Sequence, residues 1–458
     1  MSRVGYDVAV VGAGTAGANA AYQFARRGRR VILIERRRAA EAGAQWHNTV
    51  LERHFVRAGL EPPSGPERVA GGGTVHMRAR DPRVGPTLHN APTVTADMAR
   101  LGLRLRALAA SAGTEIVDQA RGLEVGLDSR SGRIRSLDIH RDGRSTMTVE
   151  ASLFVDASGR SGALRRHVAD LARWCPPVGG DELCSASDAH HRVADTDGAV
   201  GFLERHGAVP GETVTLFGIS GGFSTASVTI PVEIEPIRIL VGCLANRRYG
   251  TAAEMVAGLC GREPWIGPAL ASGTGLIPLR RPYARITAAG IALVGDAACQ
   301  VFPAHGSGVG IGLVAATMLA EAVAADADPG DPHLLWSGYQ APFQHQFGGD
   351  LAAFDVFRRG TTALGAAGVD ALVRSGIFSE STARAGLDQG WATPPPMEAL
   401  RSAGRFGRNP RLAAVMVPAL VRAQALRHHG RRYPTQLDVG ALARWERRAV
   451  RTLGPLPR

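Results

Sequence analysis

The sequence predicts an α/β protein with a parallel sheet at its start, an inserted antiparallel β domain and a helical C-terminal region. The first sign is a β-α-β unit, in which the apolar runs 7–11 (DVAVV) and 31–35 (VILIE) flank a helical pattern. The second is the stretch 185–285, which is rich in β-branched residues and turns. The third is a helical pattern from about Ser307 onward. A helix between two buried strands makes them parallel, whereas the later short strands belong to an antiparallel sheet.

The length of 458 residues suggests two or three domains. Two further buried runs, 153–156 and 291–294, have the character of strands in the parallel sheet, and 94–113 looks helical. We expect the parallel-sheet domain to be assembled from residues 1–75, 94–170 and 286–330. The antiparallel domain is expected to comprise residues 76–93 and 171–285, and the helical, arginine-rich region residues 331–458.

The positive charge is concentrated at the end of the chain. The formal net charge is +12, and no lysine occurs in the sequence. Residues 401–458 hold 13 arginines against Asp438 and Glu446, so this tail carries a net +11 and the other 400 residues only +1. The body therefore lacks the charge of a nucleic-acid binder, and no mechanism can use a catalytic lysine.

The cysteines argue against a metal site and against disulfides. Their number is odd, none forms a CxxC pair, and scattered thiols of this kind suit a reducing, cytoplasmic environment. They are Cys175, Cys184, Cys243, Cys260 and Cys299. The first strand begins by about Tyr6, and the apolar run 306–320 is too short to span a bilayer. We expect a cytoplasmic protein, with peripheral membrane contact as the alternative.

A glycine motif joins the first strand to the first helix. Gly12 permits a tight turn, Gly14 lets the backbone approach a pyrophosphate, and Gly17 allows the helix to pack closely on the strand. The helix N-terminus, at Thr15 and Ala16, offers N–H groups and a positive dipole to phosphates. Glu35 ends the second strand, where its carboxylate can accept from ribose hydroxyls. The combination predicts a dinucleotide cofactor.

A second motif follows the strand at 291–294. Gly295-Asp296 ends that strand, and Pro303 and the glycines Gly306, Gly308 and Gly310 follow. A carboxylate at Asp296 can accept from a ribityl chain, and glycines let N–H groups reach the edge of a flat ring. The helix expected from about Ser307 points its positive end at that edge.

These motifs resemble those of one large flavoprotein group. The group comprises aromatic hydroxylases, flavin-dependent halogenases and geranylgeranyl reductases, and the resemblance covers roughly residues 5–325. It rests on two motifs of this chain, GAGTAG with IER, and LVGDAACQVFPAHGSGVGIG. Between them the sequence DASG, with Asp156 and Gly159, resembles the halogenase and geranylgeranyl reductase branch rather than the hydroxylases. The resemblance implies a Rossmann-like, glutathione-reductase-like FAD domain. It implies FAD contacts at Gly12, Gly14, Thr15, Ala16, Gly17, Glu35, Arg36, Asp156, Gly159, Gly295, Asp296, Pro303, Gly306, Gly308, Val309 and Gly310.

Halogenation is disfavoured within this group. Halogenases use a lysine, which this chain lacks, and their Trp-x-Trp-x-Ile-Pro segment corresponds here to 223–231 (FSTASVTIP), without either tryptophan. The aromatic-rich substrate motif of geranylgeranyl reductases is not recognisable either. The DASG motif also departs from hydroxylases that take NADPH directly, so reducing equivalents from NAD(P)H are expected through a separate flavin reductase.

Few residues suggest chemistry beside the flavin. His305 lies in the loop expected to face the flavin ring, where a histidine that titrates near neutrality can move a proton; a loop histidine bonded to backbone is the alternative. Trp46 and His47 lie in a loop that passes close to the flavin in such proteins, and either line the substrate pocket or pack. His190 and His191, adjacent in a strand, point to opposite faces, which argues against a metal site.

The tail has three competing interpretations. A basic cluster follows an apolar stretch that Pro418 interrupts. It consists of His428-His429 and the nearby arginines Arg422, Arg427, Arg431 and Arg432. This cluster is a solvated face, a contact with an anionic membrane surface, or a docking site for an acidic carrier protein that bears the substrate.

Three classes of function fit the sequence. The favoured one is an FAD-dependent monooxygenase that acts on a bulky apolar or aromatic small molecule, in secondary metabolism. The second is a reductase or dehydrogenase acting on C–C bonds of a lipophilic substrate, as in geranylgeranyl reductases. The third is a redox-neutral flavin-bound cyclase or binding protein.

Overall fold

The computed structural model describes residues 2–141, 146–324, 328–391 and 396–456. In chain order the strands are β1 (Ser2–Val11), β2 (Val31–Ile34), β3 (His47–Val50), β4 (Arg68–Gly71), β5 (Val75–Arg78), β6 (Thr87–Leu88), β7 (Val94–Asp97), β8 (Glu115–Val117), β9 (Ala120–Leu127), β10 (Ile134–Arg141), β11 (Met147–Asp156), β12 (Leu183–Val193), β13 (Thr213–Phe217), β14 (Ser224–Thr229), β15 (Ile237–Leu244), β16 (Ile266–Pro278), β17 (Thr287–Ala288) and β18 (Ile291–Leu293).

The helices alternate with the strands at first and follow one another at the end of the chain. They are α1 (Thr15–Ala25), α2 (Glu52–Arg57), α3 (Met98–Ser111), α4 (Ala169–Ala172), α5 (Thr196–Arg205), α6 (Ala252–Arg262), α7 (Val309–Ala322), α8 (Pro332–Leu334), α9 (Ala341–Phe343), α10 (Gly349–Arg374), α11 (Glu380–Leu387), α12 (Pro396–Arg408), α13 (Pro410–Gly430) and α14 (Val439–Leu453). The fold is the predicted α/β class, with a Rossmann-like parallel sheet, antiparallel sheets and C-terminal helices.

The first sheet carries the cofactor motifs. Its strand order is β17-β18-β11-β1-β2-β8, with β10 and β9 added beside β11. β1 pairs in parallel with both β2 and β11, and β11 pairs in parallel with β18. The four residues of β2 are all buried, as expected for a parallel sheet with both faces covered. The carboxyl ends of β1, β11 and β18 therefore lie side by side, and each leads into one of the three predicted motifs.

The second sheet is mostly antiparallel. Its order is β16-β12-β15-β14-β13-β5-β6, so the early strands β5 and β6 join strands from much later in the chain. On one face, α5 and α6 cover a core that includes Phe202, Trp265 and Ile239. The other face is turned toward the first sheet, because Trp46, which follows β2, packs on β16.

The structure corrects two expectations about local structure. His47 lies in strand β3, paired with β7 in a small third sheet that also contains β4, rather than in a loop. Helix α13 continues through Pro418, which was expected to interrupt this segment. A proline removes one helical hydrogen bond, and the packing of α13 on α10 compensates for it. Within the described residues, no helix is both long and apolar enough to cross a membrane.

The arginine cluster of the tail is partly internal. The Arg427 guanidinium binds the Asp350 carboxylate at 2.5 Å and lies over the Trp391 ring. His429 is buried, stacks on Trp445 and bonds its backbone carbonyl. Arg427 and His429 therefore hold helices together and are not available to a partner, whereas Arg431 and Arg432 are exposed.

Candidate functional site

The glycine turn after β1 has the geometry that the sequence predicts. Gly12 has φ +103°, and a Cβ there would lie 2.4 Å from the carbonyl oxygen of Ala157. A Cβ at Gly17 would lie 1.9 Å from the carbonyl oxygen of Gly12, so α1 needs a glycine to approach the turn. At Gly14 the nearest atom is 3.7 Å away, the Cα of Gly43. The protein thus leaves space beside Gly14, where a pyrophosphate would approach the start of α1.

Glu35 closes this turn from the side of β2. Its carboxylate accepts the backbone N–H of Ala13 at 2.8 Å and that of Arg37 at 3.0 Å. A carboxylate has about four acceptor positions, so capacity remains for a ribose hydroxyl. Directly beyond Glu35, a solvent-open cavity of about 530 Å³ suits an adenosine group. It is lined by Arg36, Arg37, Arg38, Glu41, Gln119 and Arg121.

Arg106 is a cofactor-site residue that the sequence interpretation missed. It is buried in α3, and its Nη1 donates to the carbonyl oxygens of Ala13 and Ala42 at 3.2 and 3.3 Å. Its Nη2 is buried and has no hydrogen-bond partner in the described structure. A cationic donor left open beside the glycine turn fits a pyrophosphate oxygen.

Two helix N-termini converge at the centre of the site. A Cβ at Gly295 or at Gly312 would lie 3.1 or 3.2 Å from the Cβ of Ala16, so the starts of α1 and α7 are adjacent. At Gly308, a Cβ would meet Val301 at 2.9 Å, and at Gly310 it would meet His54 at 2.3 Å. The two positive helix ends face one region, as an extended dinucleotide with a flavin requires.

Asp296 lies between these helix ends. Burial raises the pKa of its carboxyl to about 6. Within the described residues, its carboxylate accepts no hydrogen bond, although an oxygen lies 3.4 Å from the position of a Cβ on Gly308. An ionised buried carboxylate without donors is costly, and hydroxyl donors of a ribityl chain would relieve that cost.

Asp156 supports the site from behind. It is fully buried, and its carboxylate accepts the Ser158 hydroxyl at 2.6 Å and the N–H groups of Leu164 and Arg165 at 2.9 Å each. The expectation that Asp156 contacts FAD directly is therefore corrected, because its carboxylate is fully engaged in hydrogen bonds that hold the 157–165 loop. Gly159, in contrast, has φ +68° and open space around it.

His305 does not titrate near neutrality. Its ring is accessible, yet protein atoms surround it on most sides, and this desolvation lowers its pKa to about 4. The imidazole bonds the backbone of Gly386 in α11 and lies 4.7 Å from the Phe302 ring. At pH 7 it is neutral, so the expected exchange of a proton near neutrality is not supported. The alternative of a loop histidine bonded to backbone describes it better.

An apolar wall faces the flavin loop from the second sheet. It consists of the buried side chains Cys184, Phe223, Leu244 and Leu279. Leu279 lies 3.6 Å from the position of a Cβ on Gly306, so the wall adjoins the loop that holds Pro303 and Gly306. The wall is packed core, so it gives the second sheet an apolar contact with the flavin loop.

Trp46 packs rather than lines an open pocket. Its indole covers Gly273 and Gly275 of β16, and a Cβ at Gly275 would lie 2.5 Å from the ring. His47 is next to it, with its ring edge-on to His190 at 4.7 Å. The packing alternative therefore accounts for Trp46.

His47, Asp188 and His190 form a cluster whose nitrogen and oxygen atoms lie within 4.8 Å of one another. The Asp188 carboxylate already binds the Arg238 guanidinium at 2.6 Å and the N–H of His47 at 3.0 Å. A guanidinium on the same carboxylate opposes a dication there, so we interpret the cluster as an ion pair with two neighbouring imidazoles. His191 points to the other face, where Nδ1 contacts the carbonyl oxygen of Gly267 at 2.9 Å.

Comparison with known proteins gives a match over the first part of the chain. Residues 7–197 match the family model described as FAD dependent oxidoreductase. The chain is therefore similar to FAD-dependent oxidoreductases over the segment that carries the glycine turn and Asp156. The residues present fit FAD on structural grounds as well, because Gly14 leaves open space and Arg106 and Asp296 have unused bonding capacity where the pyrophosphate and the ribityl chain would lie.

The relatives of this FAD-dependent oxidoreductase include lipid reductases. The digeranylgeranylglycerophospholipid reductase of Sulfolobus acidocaldarius is 24% identical over 78% of this chain and 78% of its own length. A second such reductase, from Methanothermobacter thermautotrophicus, is 26% identical over 81% of this chain and 91% of its own. Among solved structures, a geranylgeranyl bacteriochlorophyll reductase-like protein from Thermoplasma acidophilum covers 91% of this chain and 100% of its own, at 17% identity and a TM-score of 0.71. The last similarity shows a shared fold.

Proposed function

We propose that this FAD-dependent oxidoreductase is a reductase of carbon–carbon double bonds in an apolar, isoprenoid-like lipid. The observation that carries the proposal is the apolar wall against the flavin loop, because apolar side chains beside that loop suit a hydrocarbon substrate better than a polar one. The two sequence relatives, both digeranylgeranylglycerophospholipid reductases by name, support the same class of substrate.

The chemistry is a two-electron reduction. FAD held by the glycine turn and Asp296 would, when reduced, supply a hydride to one alkene carbon and become oxidised, and the other carbon would take a proton from water. The protein orients the alkene between the apolar wall and the flavin loop. With a pKa near 4, His305 is neutral and holds the loop to α11 rather than delivering the proton.

Anaerobic stopped-flow absorbance tests this proposal. The flavin is first reduced with dithionite and then mixed with geranylgeranylglycerophosphate, or with its fully saturated analogue as control. We expect the oxidised flavin absorbance to return with the unsaturated lipid alone, and mass spectrometry to detect two added hydrogens for each bond reduced. Failure of the unsaturated lipid to reoxidise the flavin would contradict the proposal.

The alternatives give different results in the same apparatus. Monooxygenation of a bulky apolar or aromatic molecule, which the sequence alone favours, stays a prediction and requires oxygen uptake with one oxygen atom entering the product. A dehydrogenase would bleach oxidised flavin with substrate under nitrogen. A redox-neutral cyclase or binding protein would give no flavin turnover with any substrate.

The electron donor is proposed to be NAD(P)H acting through a separate flavin reductase. Its test is the reduction rate of bound flavin by NADPH, with and without an added flavin reductase. Fast reduction by NADPH alone would contradict this part.

A further inference from the structure

Helix α12 makes polar contacts with the protein and leaves two large apolar side chains in solvent. The Glu398 carboxylate accepts the hydroxyls of Ser379 and Ser381 at 2.8 and 2.6 Å, and Arg405 donates to the carbonyl oxygen of Gly376 at 2.6 Å. Met397 and Leu400, on the opposite side, are 60% and 68% exposed. Phe406 on the inner side is partly buried, yet Met397 and Leu400 stay in solvent, where a helix on a globular body normally places polar residues.

Helix α13 also has an exposed apolar stripe. Its inner side is an ordinary core face, with Leu412, Met416, Ala419, Ala423 and Leu426 buried. On the outer side Val417 and Val421 are 42% and 64% exposed. They continue a stripe of exposed residues at helical spacing: Ala414, Val417, Pro418, Val421 and Ala425. The outer face of α13 is therefore apolar for about three turns.

Arginines edge both stripes. At 100° per residue, Arg401 and Arg408 lie along one edge of the exposed apolar residues of α12, and Arg411 and Arg422 lie along one edge of the stripe of α13. All four are exposed, and Asn409 alone separates the two helices. We call these two outer faces, with their four arginines, the α12–α13 surface.

We propose that the α12–α13 surface binds the interface of an anionic lipid bilayer. Interfacial helices combine an apolar face that enters the acyl boundary with basic residues that meet anionic headgroups, and both features are present on two successive helices. An acidic carrier protein would satisfy the arginines, yet the convex apolar stripes offer it no groove. The binding does not depend on the redox reaction of the protein.

The surface is connected to the flavin loop. Ser379, which binds Glu398 of α12, also caps the N-terminus of α11. Helix α11 in turn reaches the flavin loop through the bond between Gly386 and His305. Entry of a membrane lipid along this route would rest on the proposed function, whereas bilayer binding itself would not.

Vesicle sedimentation of the full FAD-loaded protein tests the proposal. We expect wild type to bind equimolar phosphatidylglycerol–phosphatidylcholine vesicles, to bind pure phosphatidylcholine far less, and to lose affinity as salt is raised. The double variant Leu400→Glu/Val421→Glu should lower the vesicle partition coefficient by at least about tenfold, because each charge would enter the acyl boundary. A matched control is Val56→Glu/Val232→Glu, at two valines exposed to 67% and 69% elsewhere on the protein.

Two results would overturn the proposal. One is equal binding of both double variants, with flavin spectra and melting temperatures like wild type. The other is loss of binding only when Arg401, Arg408, Arg411 and Arg422 are changed to Glu, with Leu400→Glu/Val421→Glu unaffected; that pattern indicates a polyanion or an acidic protein partner. If the apolar double variant misfolds, Leu400→Ser/Val421→Ser repeats the test with neutral side chains.

Discussion

At the scale of single residues, the cofactor site holds two buried charged groups whose bonding is incomplete. Asp296 has a pKa raised to about 6 by burial, and Arg106 has a buried Nη2 without a partner in the described structure. Each lies where one part of FAD, the ribityl chain or the pyrophosphate, would complete its bonds. A charged group kept in this state costs stability until the ligand binds, so ligand affinity should depend on it.

Replacing Asp296 with alanine should weaken FAD binding by about ten- to a hundredfold, because a charge-assisted hydrogen bond is worth roughly 1.5–3 kcal/mol. Cys299→Ala is the matched control, since Cys299 is buried three residues away and only packs. Titration of the FAD-free proteins with FAD, followed by flavin fluorescence, measures both affinities. Equal affinities for the two variants would contradict the assignment of Asp296.

The raised pKa of Asp296 also predicts how FAD binding depends on pH. The carboxyl of the FAD-free protein takes up a proton as the pH falls through about 6, and only the ionised form accepts fully from the ribityl hydroxyls. The dissociation constant for FAD should therefore rise by about tenfold from pH 7 to pH 5. Asp296→Asn should abolish this dependence; an unchanged pH profile in that variant would assign it to another group.

Arg106→Met should separate cofactor binding from folding. The variant removes a buried cation but also its bonds to the carbonyl oxygens of Ala13 and Ala42, so the melting temperature of the FAD-free protein should fall only slightly, while FAD affinity should fall by at least about tenfold. The control is Arg104→Met on the same helix, since Arg104 binds Glu67 at 2.7 Å. Thermal unfolding with and without FAD provides the readout. If the Arg106→Met protein retains wild-type FAD affinity, Arg106 does not bind the pyrophosphate of FAD.

At the scale of elements, sequence periodicity predicted the cofactor strands and helices well. The β1-α1-β2 unit and the strand–glycine–helix passage from β18 to α7 were predicted, because short buried strands and glycine turns leave local signals. Helix α3 was predicted too, but its buried set of Met98, Leu101, Leu105 and Arg106 includes a charged residue. That charge on an apolar face was the one available signal for Arg106, and only the fold shows what it faces.

Contacts between residues far apart in the chain could not be predicted from the sequence. Nothing local indicates that Asp188 meets His47, since 141 residues separate them. Desolvation lowers the pKa of His305, and Gly386 of α11, some eighty residues later in the chain, opposes this shift through its backbone bond to the imidazole. The sequence also could not show whether Trp46 lines a pocket or packs. Its ring covers two glycines of β16, which lie far away in the sequence, so it packs.

The packing of Trp46 on β16 gives a prediction for this element. Gly275→Val should force the indole away from β16 and lower the free energy of unfolding by about 1–3 kcal/mol, the usual cost of overpacking. Thr274→Val, one residue earlier on the opposite, exposed face, is the control. Urea unfolding followed by tryptophan fluorescence measures both. Equal stability of the two variants would mean that Trp46 moves without cost.

At the scale of the whole molecule, a buried ionic network ties the C-terminal helices to the cofactor domain. Asp355 of α10 is fully buried, and its carboxylate binds Arg358, Arg359 and the N–H of Arg281 at 3.1, 2.9 and 3.1 Å. Arg281 also binds Glu446 of α14 at 2.6 Å. Tyr283, two residues beyond Arg281, donates its N–H to Ala298 in the turn after Asp296 at 3.3 Å. The helices and the ribityl site therefore share one chain of contacts.

This network predicts that Asp355→Asn destabilises the protein by about 3–5 kcal/mol, because buried Arg358 loses its carboxylate partner while Arg359 keeps only Glu182 at 2.9 Å. Asp350→Asn, at a partly exposed pair, should cost at most about 1 kcal/mol. The arginines lower the pKa of Asp355 to about 2, so its contribution to the free energy of unfolding is present above pH 4 and is lost as the pH falls toward 2.

Limited proteolysis should cut the Asp355→Asn protein faster within 350–458 than it cuts wild type. FAD should also dissociate sooner from this variant, since the contacts lead on to Ala298. Faster proteolysis with unchanged FAD retention would instead mean that the C-terminal helices fold independently of the cofactor site.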